Sequence, residues 1–434
     1  MRCWVDLDVT KQKLHFIDLF AGCGGLSLGL EQAGFEPVLY NELNSSAAET
    51  YRINRHPIEY VADIHNIDEK HVIKHRGIDL VCGGPPCQGY SAIGIRRTHK
   101  ADKQDMARNR LFNEMIRIID LVEPKLFLFE NVRGILTGKW NASGEKGDIF
   151  RDILDAFIKK LGPLYHIRWE LVKSSNYGVP QNRPRVFIVG IHKSLKYSKT
   201  LNNTKRSYQE IMAKGFALRD GLLPQPSEMV NAPNLEDLLG DLVDDGYSNN
   251  DFETKVYLTD PMTQVQKEIR VKKSDSGNYM KKGEPLTEQV YSRHKTQTVK
   301  KFTYMINNKL SIQANGSAPK HFRTKKFSQR LLPPTWNDKK GPTITVTSLP
   351  DDYVHYSQPR TLTVREWARL QTFPDWYQFA GKRTTGGSRR AGMPHSTADQ
   401  IEIPKYTQIG NAVPVLLARE FGKHFNKLIG DSNA

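Results

Sequence analysis

Phe16-Ile17-Asp18-Leu19-Phe20-Ala21-Gly22-Cys23-Gly24-Gly25 decides the reading of this chain, because an apolar strand runs straight into a glycine-rich turn that opens a helix. Such a turn lets a ligand come close to the backbone. Glu42 stands 20 residues beyond Gly22, at the end of the next apolar run, where a carboxylate can hydrogen-bond ribose hydroxyls. The spacing predicts a nucleoside cofactor. Ser27 occupies the third glycine position of the dinucleotide fingerprint G-x-G-x-x-G, which favours an adenosine without a pyrophosphate. Read alone, the stretch is also compatible with a tight structural turn, the less favoured of the two readings.

Working outward, short apolar runs alternate with segments of helical period up to about residue 191. The predicted strands are His15 to Phe20, Pro37 to Tyr40, Ile78 to Cys82, Leu126 to Phe129 and Val186 to Ile191. Between them, Leu26 to Ala33, Ser45 to Ile53, Leu111 to Val122 and Ile149 to Leu161 carry helical spacing. This alternation predicts an α/β fold, a parallel sheet with helices on both faces. From His192 to Asp338 the pattern dissolves into polar, basic sequence. Within it, Leu235 to Val243 is acidic and amphipathic and reads as a surface helix. Order returns near Gly341-Pro342-Thr343-Ile344-Thr345, and the chain closes on Gln408-Ile409-Gly410-Asn411-Ala412-Val413-Pro414 and an apolar, helix-like run.

The 434 residues suffice for two domains and carry 63 Lys and Arg against 47 Asp and Glu, a net charge of +16. Most of the excess sits between Lys255 and Lys340, with 19 basic and 6 acidic residues among Tyr279, Tyr291, Phe302, Tyr304, Phe322 and Phe327. A polyanion is the expected partner, with binding that weakens as salt rises. Four cysteines, Cys3, Cys23, Cys82 and Cys87, are spaced for neither a disulfide framework nor a zinc site. A reduced, cytoplasmic setting without a metal is expected. No apolar run approaches the ~18 residues of a membrane span, and no signal segment is read at Met1-Arg2-Cys3-Trp4.

Three further stretches carry chemistry. In Gly83-Gly84-Pro85-Pro86-Cys87-Gln88-Gly89-Tyr90-Ser91, two prolines restrict the backbone ahead of a thiol that follows an apolar run. Cys87 is either a nucleophile or a buried turn cysteine. Phe127-Leu128-Phe129-Glu130-Asn131-Val132 ends a strand in a carboxylate, which burial would hold protonated. In Gln181-Asn182-Arg183-Pro184-Arg185 two arginines, two apart in extended chain, point the same way and suit a phosphate or carboxylate. Gln88 to Lys103, with Gly89, Gly94, Arg96, Arg97 and Lys100, reads as a mobile loop able to close over a substrate.

Taken in order, Asp18-Leu19-Phe20-Ala21-Gly22, Pro85-Pro86-Cys87-Gln88, Glu130-Asn131-Val132, Gln181 to Arg185, Arg360-Thr361-Leu362-Thr363-Val364-Arg365-Glu366 and Gly410 to Pro414 resemble the cytosine-C5 DNA methyltransferases, of the bacterial restriction-modification type. The resemblance implies a Rossmann-like, S-adenosylmethionine-dependent methyltransferase fold. Residues 1–192 would form the catalytic domain, completed by 405–434, and 193–404 a smaller, irregular target-recognition domain and hinge. It implies S-adenosylmethionine as cofactor, held by Phe20, Gly22, Gly24 and Gly25, by Glu42 on the ribose, by Asp63 and Ile64 beside the adenine, and by Asn411 and Ala412. Leu43 stands where several members carry an aromatic residue, and Leu111 is a further wall candidate. Cys87 would add to cytosine C6, Glu130 would bind the ring edge, and Arg183 and Arg185 would orient it. Pro86, Gln88, Ser91, Arg96 and Arg97 are the implied contacts to the flipped base and its double-stranded DNA. A monomer is implied, with a separately acting restriction endonuclease as possible partner. A tRNA-directed enzyme and a catalytically silent DNA-binding protein with the same fold remain as alternatives.

Overall fold

The computed structural model describes residues 13–86, 110–140, 143–197, 222–224, 226, 232–247, 252–312, 318–323, 329–337, 341–344, 346, 350–384 and 403–433. A seven-stranded sheet forms from β1 (Leu14–Leu19), β2 (Phe35–Asn41), β3 (Glu59–Val61), β4 (Leu80–Gly83), β5 (Leu126–Val132), β6 (Tyr165–Lys173) and β7 (Pro184–His192). Their spatial order is β3-β2-β1-β4-β5-β7-β6. The α/β expectation therefore holds, but the sheet is not wholly parallel. β7 runs antiparallel to both β5 and β6. The reason is the short link from Lys173 to Pro184, which can join a hairpin but has no room for the crossover that a parallel pair needs.

Helices α1 (Gly25–Glu31), α2 (Ser45–Ile53), α3 (Phe112–Val122) and α4 (Asp148–Leu161) arise where the apolar spacing places them. Two strands had no counterpart in the apolar runs. β3 is three residues long, and β6 alternates buried Tyr165, Ile167 and Trp169 with half-buried His166, Arg168 and Glu170, the pattern of an edge strand. In the central strands the two-residue period divides the core. Ile17, Leu19, Phe127 and Phe129 face α3 and α4, while Phe16, Leu80, Cys82, Leu126 and Leu128 face α1 and the closing helix Val415–Asn433. That helix lies so close to α1 that a Cβ on Gly29 would stand 2.4 Å from both the Val415 carbonyl and the Ala418 methyl.

The segment after β7 shares its main core with the sheet domain. Leu235, Leu238, Leu239, Leu242, Tyr257, Trp367, Phe373 and Tyr377 form one apolar cluster with Cys23 and Leu28 of the glycine turn and α1, and with Tyr406, Ile409 and Ala412. A smaller cluster around Phe302, Met305 and Ile312 is its own. The expected surface helix at Leu235 to Val243 is corrected by this packing. Its four leucines are buried, and Asp241 is buried too, because Arg270 and Arg369 neutralise it inside the protein.

Candidate active site

The order of strands reverses on either side of β1 and β4, so a crevice opens beyond their carboxyl ends. Leu19 is in register with Gly83, and Gly83 with Phe129, which brings three chain segments out of the sheet side by side. After β1 the backbone turns left-handed at Phe20 (φ 56°), Gly22 (φ 57°) and Gly24 (φ 79°). A Cβ on Gly22 would meet nothing within 4 Å, so the turn borders open space. At Gly25 the opposite holds: a Cβ would strike the Val413 carbonyl at 2.5 Å and the Ala412 methyl at 3.0 Å. Thus the two glycine-linked motifs at opposite ends of the sequence meet.

Glu42 reaches back to this turn, accepting hydrogen bonds from Gly22 N–H (2.9 Å) and Asn44 N–H (2.7 Å). Burial pushes its carboxyl up, against the pull of those two amides. Leu43 is 41% exposed. Asp63 caps a short helical turn through His65 N–H and pairs with the His65 ring, while Ile64 is buried. Phe20 and Leu111 pack, half-buried, against the core that holds Ile64. Asn411 is exposed at the end of its helix, one residue before buried Ala412. Beneath the turn, Asp18 bonds Ser27, Ser27 bonds the Tyr51 hydroxyl at 2.8 Å, and burial raises the Asp18 carboxyl to about 7.

Across the crevice, Glu130 leaves β5 buried and ion-paired to Arg185 at 2.8 Å. Burial pushes its carboxyl up, and the charges of Arg185 and Arg183 only partly oppose that. Gly84 lies flat against it, since a Cβ there would stand 2.9 Å from Glu130 Oε2. Asn131 donates to the Pro85 carbonyl at 3.1 Å. One dipeptide therefore holds both sides of the approach to half-buried Pro86. Cys87, Gln88, Ser91, Arg96 and Arg97 lie outside the described residues.

This convergence fits one family model, described as C-5 cytosine-specific DNA methylase, which matches residues 14–427. The chain belongs to the C-5 cytosine-specific DNA methylases. It is therefore an enzyme, in a family that takes its methyl group from S-adenosylmethionine and acts on DNA. Type II methyltransferase M.DdeI of Desulfomicrobium norvegicum is 31% identical, over 97% of this chain and 92% of its own. Type II methyltransferase M.NgoPII of Neisseria gonorrhoeae is 29% identical over 97% of both. A crystal structure described as a prophage-encoded DNA modification methyltransferase of E. coli shares the fold, with a TM-score of 0.63 over 96% of this chain and all of that one, at 22% identity.

Within this methylase, the two arginines expected to act together part company. Arg185 takes Glu130, whereas Arg183 donates to the carbonyls of Ile344 (2.8 Å) and Gly410 (2.6 Å) and reaches Glu130 only through its field. Gln181 bonds Leu370 and Gln371, and Asn182 bonds Pro342, so the first half of this motif braces the sheet domain against later segments. Gly84 and Asn131 were not singled out by sequence reasoning, although both sit inside stretches that drew attention. Tyr377 carried no motif at all. Among the described residues, no helix is long and apolar enough to cross a membrane, and no three His, Cys, Asp or Glu side chains group as a metal would require.

The open space above Gly22, the amide-bound Glu42 and the exposed Asn411 suit a nucleoside with a charged tail. They fit S-adenosylmethionine.

Proposed function

We propose that the protein methylates C5 of a cytosine flipped out of a specific double-stranded DNA sequence, through a covalent bond between Cys87 and C6. The observation that carries this reading is the placement of Glu130: buried, paired with Arg185, and pressed against Gly84 on the backbone that leads through Pro85 and Pro86 to Cys87. A ring carbon of cytosine is a poor nucleophile until electrons are pushed into the ring. In this reading the Cys87 thiolate adds to C6, and the displaced π pair moves toward C5 and N3. Glu130, whose pKa burial raises, donates in its protonated form to N3 and accepts from the exocyclic amine, while Arg185 fixes its orientation. S-adenosylmethionine, when bound, supplies an electrophilic methyl on a sulfonium whose sulfur keeps the bonding pair. C5 takes that methyl, the N3 proton returns to Glu130, and a water accepts the C5 proton, whose bonding pair restores the C5–C6 double bond and expels the Cys87 thiolate.

Phe20, Gly22, Gly24, Gly25, Glu42, Asp63, Ile64, Asn411 and Ala412 would hold the cofactor, with Leu43 and Leu111 as apolar walls. Pro86, Gln88, Ser91, Arg96 and Arg97 would meet the flipped base and its strand. Arg183 serves as a brace, on its bonds to Ile344 and Gly410. The exposed Lys281, Lys282, Lys300 and Arg323 of the basic segment suit DNA phosphates. We assign residues 1–192, with 405–434, to catalysis and 193–404 to target recognition. The Type II names of the relatives support a modification enzyme, and we propose that it acts as a monomer, with an independent endonuclease as its possible partner. Incubation with labelled S-adenosylmethionine should label duplex DNA and not tRNA; label in tRNA alone would overturn the reading. DNA carrying 5-fluorocytosine should be trapped covalently by the native protein and not by Cys87→Ala.

A further inference from the structure

The glycine turn that we assign to the methyl donor is held from behind by two side chains that belong to no motif. Its amides are bonded within the protein, Phe20 to the Asn41 side chain, Gly22 to Glu42 and Gly24 to the Ala21 carbonyl, and its carbonyls at Cys23 and Gly24 take donors of their own. Gly24, which precedes α1, has no side-chain cap. The Tyr377 hydroxyl donates to the Cys23 carbonyl at 2.7 Å, and Arg55 Nη2 donates to the Gly24 carbonyl at 3.1 Å. Arg55 Nη1 also donates to the Tyr377 oxygen at 3.0 Å, which joins the two supports into one unit. Both side chains are buried; Arg55 is neutralised by Glu31 at 2.8 Å and stacks on the Tyr51 ring at 4.0 Å. A Cβ on Gly24 would stand 2.7 Å from Arg55 Nη1 and 2.9 Å from the Tyr377 hydroxyl, so the fit leaves no slack.

Tyr377 also connects to the basic segment. Its carbonyl accepts from Arg365, which bonds Thr287. Two residues earlier, Asp375 takes the Tyr257 hydroxyl at 2.7 Å and its own N–H donates to the Ile269 carbonyl. Next to Tyr377, Gln378 exchanges hydrogen bonds with Asn54, adjacent to Arg55. Tyr257, Ile269 and Thr287 all belong to the stretch between Lys255 and Lys340 where the positive charge concentrates.

We infer that Tyr377 and Arg55 are positioning residues that lock the cofactor turn and couple its affinity for S-adenosylmethionine to DNA held on the basic segment. Coupling of this kind is reciprocal: each ligand tightens the other by the same factor. The inference rests on assigning the cofactor to the Phe20 to Gly25 turn. The test is Tyr377→Phe in the full-length protein, which removes one hydroxyl and keeps the ring. Calorimetry should show S-adenosylmethionine binding weakened by about tenfold, the scale of one lost buried hydrogen bond. DNA binding without cofactor should be unchanged, and the gain in cofactor affinity on adding DNA should disappear. In turnover the loss should fall on KM for S-adenosylmethionine, and amides of Cys23 to Leu28 should exchange faster in the unliganded variant. Arg55→Lys, which keeps the charge opposite Glu31, should repeat these effects. A reference variant, Gly22→Val, separates the two claims. If Gly22→Val abolishes cofactor binding while Tyr377→Phe leaves the affinity and its response to DNA untouched, the latch is wrong. If Gly22→Val binds normally, the site assignment itself fails, and the latch with it.

Discussion

Glu130 shows how little of a catalytic side chain's behaviour is contained in its own identity. A carboxyl at a strand end is ordinary; one buried, paired with Arg185 and covered by the bare Cα of Gly84 is held in one orientation with its pKa pushed up by burial. Replacing Gly84 by alanine should push the carboxyl aside, because no Cβ fits 2.9 Å from Oε2. Turnover should fall by roughly 100-fold, the scale of a misplacement of about 1 Å, while circular dichroism stays native. Glu130→Gln should lose about 100-fold or more in kcat, since the amide cannot supply the same proton, with little change in cofactor affinity by calorimetry. Arg185→Lys keeps the charge but loses the planar guanidinium that meets the carboxylate. It should lower kcat by about tenfold and move the alkaline limb of the pH–rate profile to higher pH, as Glu130, which acts protonated, loses part of what opposes its raised pKa.

At the scale of elements, close backbone contact fixes how the two ends of the chain meet. Gly29 of α1 touches the Val415 carbonyl and the Ala418 methyl, so the first helix and the closing helix approach where only a hydrogen fits. Alanine there would gain ~1 kcal/mol of helix propensity yet cost about 1–3 kcal/mol in overpacking. The clash involves backbone, which yields less readily than a side chain, so the melting temperature should fall. A rise would show that the helices slide freely. The reversal of β7 belongs to this scale as well. It lays Arg185 opposite Val132, next to Glu130, and makes the ion pair possible.

Over the whole molecule, the later segments are themselves held together by buried charge. Glu366 is fully buried against Arg360, and although burial favours its neutral form, that arginine and the Thr363 N–H pull its carboxyl down to about 2. Burial, with the nearby Arg360, lowers His355 to about 3. Both shifts act in one direction. The unfolded chain takes up a proton on the histidine below about 6.5 and on the carboxylate below about 4.5, which the folded protein refuses until about 3 and about 2. Stability should therefore be complete above pH 6.5 and drain away on acidification toward pH 2. Denaturant midpoints measured across that range should show it. In His355→Asn, whose amide oxygen can replace the ring nitrogen that accepts from Ser357 and Gln358, the loss between pH 6.5 and 4.5 should shrink.

The sequence by itself determined the glycine turn, the alternation of strand and helix, the place of Glu130 at a strand end and the family. Those signals are local: period, spacing and turn chemistry are written in consecutive residues. It also located the excess of positive charge, which needs only counting. Only the tertiary structure decided the reversed β7, the burial of Leu235 to Val243, the separate tasks of Arg183 and Arg185, and the parts played by Gly84, Asn131, Arg55 and Tyr377. Each of these depends on a partner far away in the chain, as Tyr377 depends on Cys23, and the residue types carry no mark of which carbonyl or carboxylate will stand opposite once the chain has packed.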